Sequence, residues 1–205
     1  MKKLIVVSMA VLLSASITAE NFSSEQSPPP GTVRLEPSKT GVNHAEFIDE
    51  NVITIRDWLF FLHWAQSING RQSAEYLEIL PDSVILEKSL QHPSWRHPSF
   101  SSYAMVGVSY EQAIKYCIWR TNRVNELLEK NGMKYTVSYS LPTETDFEEV
   151  YKQQKNTTLK IGADVQELSA GKSVLQIEQT GELNFQPYRE PNATVGFRCV
   201  AKIIR

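Results

Sequence analysis

Pro142-Thr143-Glu144-Thr145-Asp146-Phe147-Glu148-Glu149 is the stretch whose reading decides the fold. Tyr135 to Leu141, just before it, alternates as a strand does. Pro142 stops that strand, and Thr143 caps a helix running to about Gln153. Glu144 and Asp146 sit at the helix's positive end, where acidic charge is favourable. Four acids in this short space also invite a calcium or acid–base reading of Glu144, Asp146, Glu148 and Glu149. A charged helix start with a solvated face explains the same residues, and that explanation is adopted.

Working outward, helices and strands alternate irregularly. Ser109 and Gln112 have capping-box spacing, and an amphipathic helix follows to about Lys130, ended by Asn131-Gly132. Thr54 is an N-cap with Asp57 three residues later. Trp58, Leu59, Phe61, Leu62 and Ala65 then form a broad apolar face at helical spacing. Phe60 and Trp64 widen it and predict packing on more than one side. Residues 71 to 103, broken by Pro81, Pro93 and Pro98, read as a long irregular excursion with a short helix near Asp82 to Leu90. Short strands are expected at Val33 to Pro37, Ser173 to Gln179, Leu183 to Gln186 and Gly196 to Ile204. The fold class is α+β.

The 205 residues open with Met1-Lys2-Lys3, an apolar run from Leu4 to Leu13 and small residues to Ala19. This is the layout of a signal peptide, expected to cover 1–19. Residues 20–32, ending in Pro28-Pro29-Pro30-Gly31, read as a polar, Pro-rich tether, and 33–205 as one domain. No cysteine flanks the cleavage point, so the expected product is a periplasmic or secreted protein without a lipid anchor. No later stretch is long enough to span a membrane. Without Lys2 and Lys3 the formal charge moves from −2 to about −4, which gives no electrostatic case for nucleic acid. The two cysteines of an exported chain read first as one disulfide, Cys117 with Cys199.

Five pieces of the sequence resemble, in order, the formylglycine-generating (sulfatase-modifying factor) domain family. They are Phe47-Ile48-Asp49-Glu50-Asn51-Val52-Ile53-Thr54, Val106-Gly107-Val108-Ser109-Tyr110-Glu111, Tyr116-Cys117-Ile118-Trp119, Leu141-Pro142-Thr143-Glu144 and Gly196-Phe197-Arg198-Cys199-Val200. Trp95-Arg96-His97-Pro98 and Trp119-Arg120-Thr121 are similar to members associated with gliding motility and type IX secretion. The resemblance implies a mixed, C-type-lectin-like fold with much irregular structure. It also implies a Cys117–Cys199 disulfide, whose loop of about 80 residues contributes several kcal/mol in the chain-entropy model. Catalytic members hold copper with two further cysteines. The corresponding segment here, Ala163 to Val195, contains none, and Val174-Leu175-Gln176-Ile177 stands where a Gly-rich run is expected.

No catalytic residue and no cofactor are therefore expected. Enzyme activity is left open but disfavoured. His92 and His97, in a Pro-rich loop, are the metal candidates, with His63 and His44 more remote; proline-flanked loop packing is the favoured explanation of the pair, and no metal is expected. A metal-dependent oxidase using them and a carboxylate is the alternative function. The leading expectation is a non-catalytic binding or scaffold domain in the bacterial envelope, of a gliding or type IX secretion assembly, with an envelope protein as partner. Its contact surface is expected on the excursion, at Trp95, His97, Phe100 and Tyr103, with Glu182 to Asn192 as the competing surface.

Overall fold

A computed structural model describes residues 28–35, 45–153, 161–162 and 165–204. The expected signal peptide, most of the tether and His44 lie outside the described residues. The last tether residues are already folded: Pro29 is buried and Thr32 opens the first strand, which moves the expected boundary at 32 towards the N-terminus.

The architecture is α+β, with two small sheets and five α-helices among the described residues. The first sheet runs β1 (Thr32–Arg34), β2 (Phe47–Asp49), β8 (Val200–Ile204), β3 (Thr136–Ser140), all antiparallel. The second runs β6 (Leu183–Pro187), β5 (Ser173–Ile177), β4 (Gln166–Leu168), β7 (Val195–Gly196), with β4 and β7 parallel. The expected single strand from Gly196 to Ile204 is thus two strands in two sheets, with Phe197 to Cys199 crossing between them. Gly196 is required at that crossing. A Cβ there would lie 2.8 Å from Val165 Cγ2 and 3.2 Å from the Met105 carbonyl.

Caps set the helices as their sequence signals predict. Helix α1 (Ile55–Asn69) and helix α4 (Tyr110–Lys130) each start in a closed capping box, Thr54 with Asp57 and Ser109 with Gln112. Helix α5 (Glu144–Gln153) is capped by Thr143, whose Oγ1 accepts from the Asp146 N–H. Asp146 does more than cap. It is buried, and its Oδ1 accepts from the Ala45 N–H at 2.8 Å, tying α5 to the entry of β2. The solvated-face reading fails for this residue, because a buried carboxylate must be hydrogen-bonded.

The excursion holds α2 (Ala74–Leu77), α3 (Ser83–Leu90) and a 3₁₀ turn at Pro98–Phe100. Helix α1 buries Trp58, Phe61, Leu62 and Ala65, but Phe60 is 60% exposed, so it packs less completely than expected. Trp58 stacks on Tyr116 of α4 at 5.6 Å and meets the edge of Phe197 at 6.0 Å. A second core sets Phe147 and Val150 of α5 against Ile48, Leu175 and Val200, from both sheets.

Arg198, at the sheet-to-sheet crossing, is 1% exposed. Its guanidinium forms a two-pronged pair with the buried Glu167 of β4, Nη2 donating to Oε1 at 2.9 Å. Nη1 donates to the Asp49 carbonyl at the end of β2, also at 2.9 Å. Removing one buried partner strands the other's charge. Glu167→Gln or Arg198→Met should therefore each cost about 3–5 kcal/mol, read as a lowered urea midpoint. The double replacement by methionine should recover part of that loss.

Candidate functional site

Two regions carry the residues singled out in the sequence. The first is the buried centre under α4. Cys117 of α4 and Cys199 of the crossing are both buried, their sulfurs 3.5 Å apart. The two cysteines are brought together as thiols in contact rather than as a bonded pair. Asp49 lies against them: its Oδ2 accepts from the Cys199 N–H at 2.8 Å and from Arg120 Nη1 at 2.6 Å. Arg120 also covers the face of Tyr139 at 4.3 Å. Burial, followed by the contact with Cys117 and the charge of Asp49, pushes the Cys199 thiol well up. Burial raises the Asp49 carboxyl against the pull of Arg120, and pushes the Tyr139 phenol up to about 12. A buried thiol held protonated is a poor nucleophile and a poor metal ligand.

The second region is the excursion. Ile55 N–H donates to the Tyr103 carbonyl and Arg56 N–H to the Ser101 carbonyl, at 2.9 and 3.0 Å. Those bonds, with the Thr54–Ala104 bridge, seat the loop on the start of α1. Trp95, expected on the contact surface, is 4% exposed and belongs to the core, with Arg96 lying over its ring at 4.4 Å. The expectation for this residue is corrected: its large apolar ring gains more from burial than a surface role allows. His97 is exposed, Phe100 half-buried and Tyr103 53% exposed, and the three form a connected aromatic edge. His92 joins it, its ring 5.4 Å from His97 and 5.1 Å from Phe100.

Beside that edge opens a cavity of about 730 Å³, lined among others by Leu86, Leu90, Tyr103, Thr54 and Arg56. Arg56 also lines a smaller cavity of about 420 Å³ that reaches Asp49 and Arg120. Arg56 is exposed, and its guanidinium is in no ion pair among the described residues. Sequence reasoning missed it because its side chain carries no motif; the folding of residues 102–104 onto the start of α1 forms one of its cavities and the approach of α4 to β2 forms the other.

The other candidates are placed as follows. His63 is exposed on α1, away from the pair in sequence. Trp58 and Phe61 are core, and Trp64 lines an apolar groove of about 270 Å³ with Trp119, Ile118 and Ile79. Within Glu182 to Asn192, Tyr188 is buried with its hydroxyl donating to the Val108 carbonyl at 2.6 Å, so that segment braces the entry to α4. Glu144 accepts from the Ser173 hydroxyl at 2.7 Å. Among the described residues no group of three His, Cys, Asp or Glu side chains is placed to hold a metal. No described helix is long and apolar enough to cross a membrane. Comparisons with protein-family models, with curated proteins and with solved structures find no match to the chain.

Burial separates the two expected surface aromatics. Trp95→Ala should destabilise the domain by about 3–5 kcal/mol, whereas Tyr103→Ala should stay within about 0.5 kcal/mol of wild type in thermal or urea unfolding. Reduced native protein at pH 8.5 should resist alkylation at Cys199, and label at both cysteines only after denaturation, by mass spectrometry.

Proposed function

We propose that the chain is an exported, non-catalytic sulfatase-modifying-factor-like domain with a C-type-lectin-like fold. It works as a binding component of the bacterial cell envelope, in a gliding or type IX secretion assembly. The observation that carries this reading is the position of Cys117 and Cys199. The chain's only cysteines lie at the bottom of the core, side by side, and out of reach of a substrate. Contact at 3.5 Å supports their closure into a structural disulfide in an oxidising compartment. The five landmark stretches support it too. Residues from β2, the entry to α1, the start of α4, the end of β3 and the crossing all contribute to one buried cluster, including Phe47, Ile53, Cys117, Leu141 and Phe197.

Binding falls to the aromatic edge at Phe100 and Tyr103 and to the cavity beside it. The exposed Arg56 suits a partner segment that carries a carboxylate. An exposed tyrosine and an arginine beside a cavity are the side chains from which interface hot spots are most often built.

A pull-down from envelope extract tests the reading. Wild-type protein should retain a protein partner, and Tyr103→Ala combined with Arg56→Glu should lose it. Equal capture by both would overturn the assignment of this surface, and capture of nothing would overturn the binding role. Intact mass of the exported protein under non-reducing conditions should fall two hydrogens short of the dithiol.

A further inference from the structure

We infer that the outer edge of β6 is a pairing site for a second copy of the chain, the two β6 strands joining antiparallel. The inference does not depend on the proposed binding role.

The ladder shows which groups of β6 face outward. The Glu178 N–H donates to the Glu182 carbonyl and the Tyr188 N–H to the Lys172 carbonyl, both at 2.9 Å. Between those bonds the register pairs Gln176 with Asn184 and Val174 with Gln186. Antiparallel strands exchange bonds at every second residue, so Asn184 and Gln186 bond inward to β5. The N–H and C=O groups of Leu183 and Phe185, and the Pro187 carbonyl, therefore point away from the sheet. No described residue hydrogen-bonds to them.

The other edges are guarded. At β3, the Asn125 side chain of α4 donates to the Val137 carbonyl at 2.9 Å and accepts from its N–H at 2.8 Å, and Thr121 accepts from the Tyr139 N–H at 2.9 Å. At β1, the Thr32 N–H is taken by the Pro29 carbonyl. Strand β7 is only two residues long. Strand β6 has five residues and no charged side chain, which leaves its edge open to strand addition.

A second β6 is the strand that fits. Leu183 and Phe185 pack on one face against the second core. Asn184 and Gln186 lie on the other face, where Asn184 donates to Glu178 Oε1 at 3.1 Å. An incoming strand must alternate in the same way to extend both faces. Another β6 does so already ordered, with little conformational entropy left to lose. Leu183 set opposite Phe185 of the second copy leaves none of these outward groups unpaired. Each copy's two N–H groups donate to the other's two carbonyls, making four bonds about a twofold axis at Asn184. Pro187, which has no N–H to offer, lies past the end of that ladder. Glu182 then faces Gln186 of the second copy, so no like charges are opposed. The two four-stranded sheets become one of eight strands.

Sedimentation velocity of the full chain over a concentration series should show a monomer–dimer equilibrium. Leu183→Pro removes an outward N–H and no bond to β5, so circular dichroism should be kept. Dimerisation should weaken about 10-fold or more, because two of the four intermolecular bonds are lost. Cross-linking reads the register. Asn184→Cys places the two new thiols at a non-hydrogen-bonded pair with Cα atoms about 4.5 Å apart, within disulfide reach, and mild oxidation should give a covalent dimer. Gln186→Cys puts its two copies about 13 Å apart in the same register and should give none. If Leu183→Pro does not fold, the two cysteine variants decide. A monomer at every concentration overturns the inference and leaves the edge to a strand of another protein. A dimer that folded Leu183→Pro leaves intact, or equal cross-linking of the two cysteine variants, overturns it as well.

Discussion

A buried guanidinium organises this fold. Arg198 is held at the point where one chain segment leaves the sheet containing β7 and enters the sheet containing β8. Its charge is met by Glu167 on one side and by carbonyls at the end of β2 on the other. Glu167 in turn accepts from the Gly162 N–H at 2.7 Å. Taking two charges out of water is expensive, and such a pair persists only with its hydrogen bonds completed. That requirement fixes the distance between the sheets and the register of β2, β4 and the crossing at once. An apolar contact has no such directionality, so it cannot enforce the same alignment.

The neighbouring carboxylates serve the same end. Asp49 ties β2 to Arg120 of α4 and to the crossing's backbone. Asp146 ties α5 to residue 45. With these polar links settled, the aromatic residues Trp58, Tyr116 and Phe197 interlock between α1, α4 and the crossing. The two cysteines meet because the helix and the crossing are already held on either side of them. The irregular excursion is then seated on the start of α1 by backbone bonds, leaving its aromatic edge and the adjoining cavity facing outward.

Much of this was legible along the chain. The two capping boxes, the Thr143 cap and the helix after Asp82 announce themselves because capping is local: donor and acceptor lie within three residues of each other. The strands β5 and β6 were legible as the short strand patterns at Ser173 to Gln179 and Leu183 to Gln186. What could not be read were β4, three residues long and strand-like only through its neighbours, and the break at Phe197 to Cys199 inside an otherwise continuous strand pattern. Trp95 was misplaced for a related reason. A proline-flanked tryptophan in an irregular segment has no periodicity to reveal which way it faces.

The sequence by itself determined the α+β class, the starts of α1, α3, α4 and α5, and the presence of just two cysteines. These follow from composition and from interactions between near neighbours. Only the tertiary structure decided that Cys117 touches Cys199, that Arg198 and Glu167 are buried together, that Asp146 is a clamp, and that Arg56 lines two cavities. Each depends on residues tens of positions apart in the chain, and burial and charge pairing between such residues exist only once the chain has folded around them.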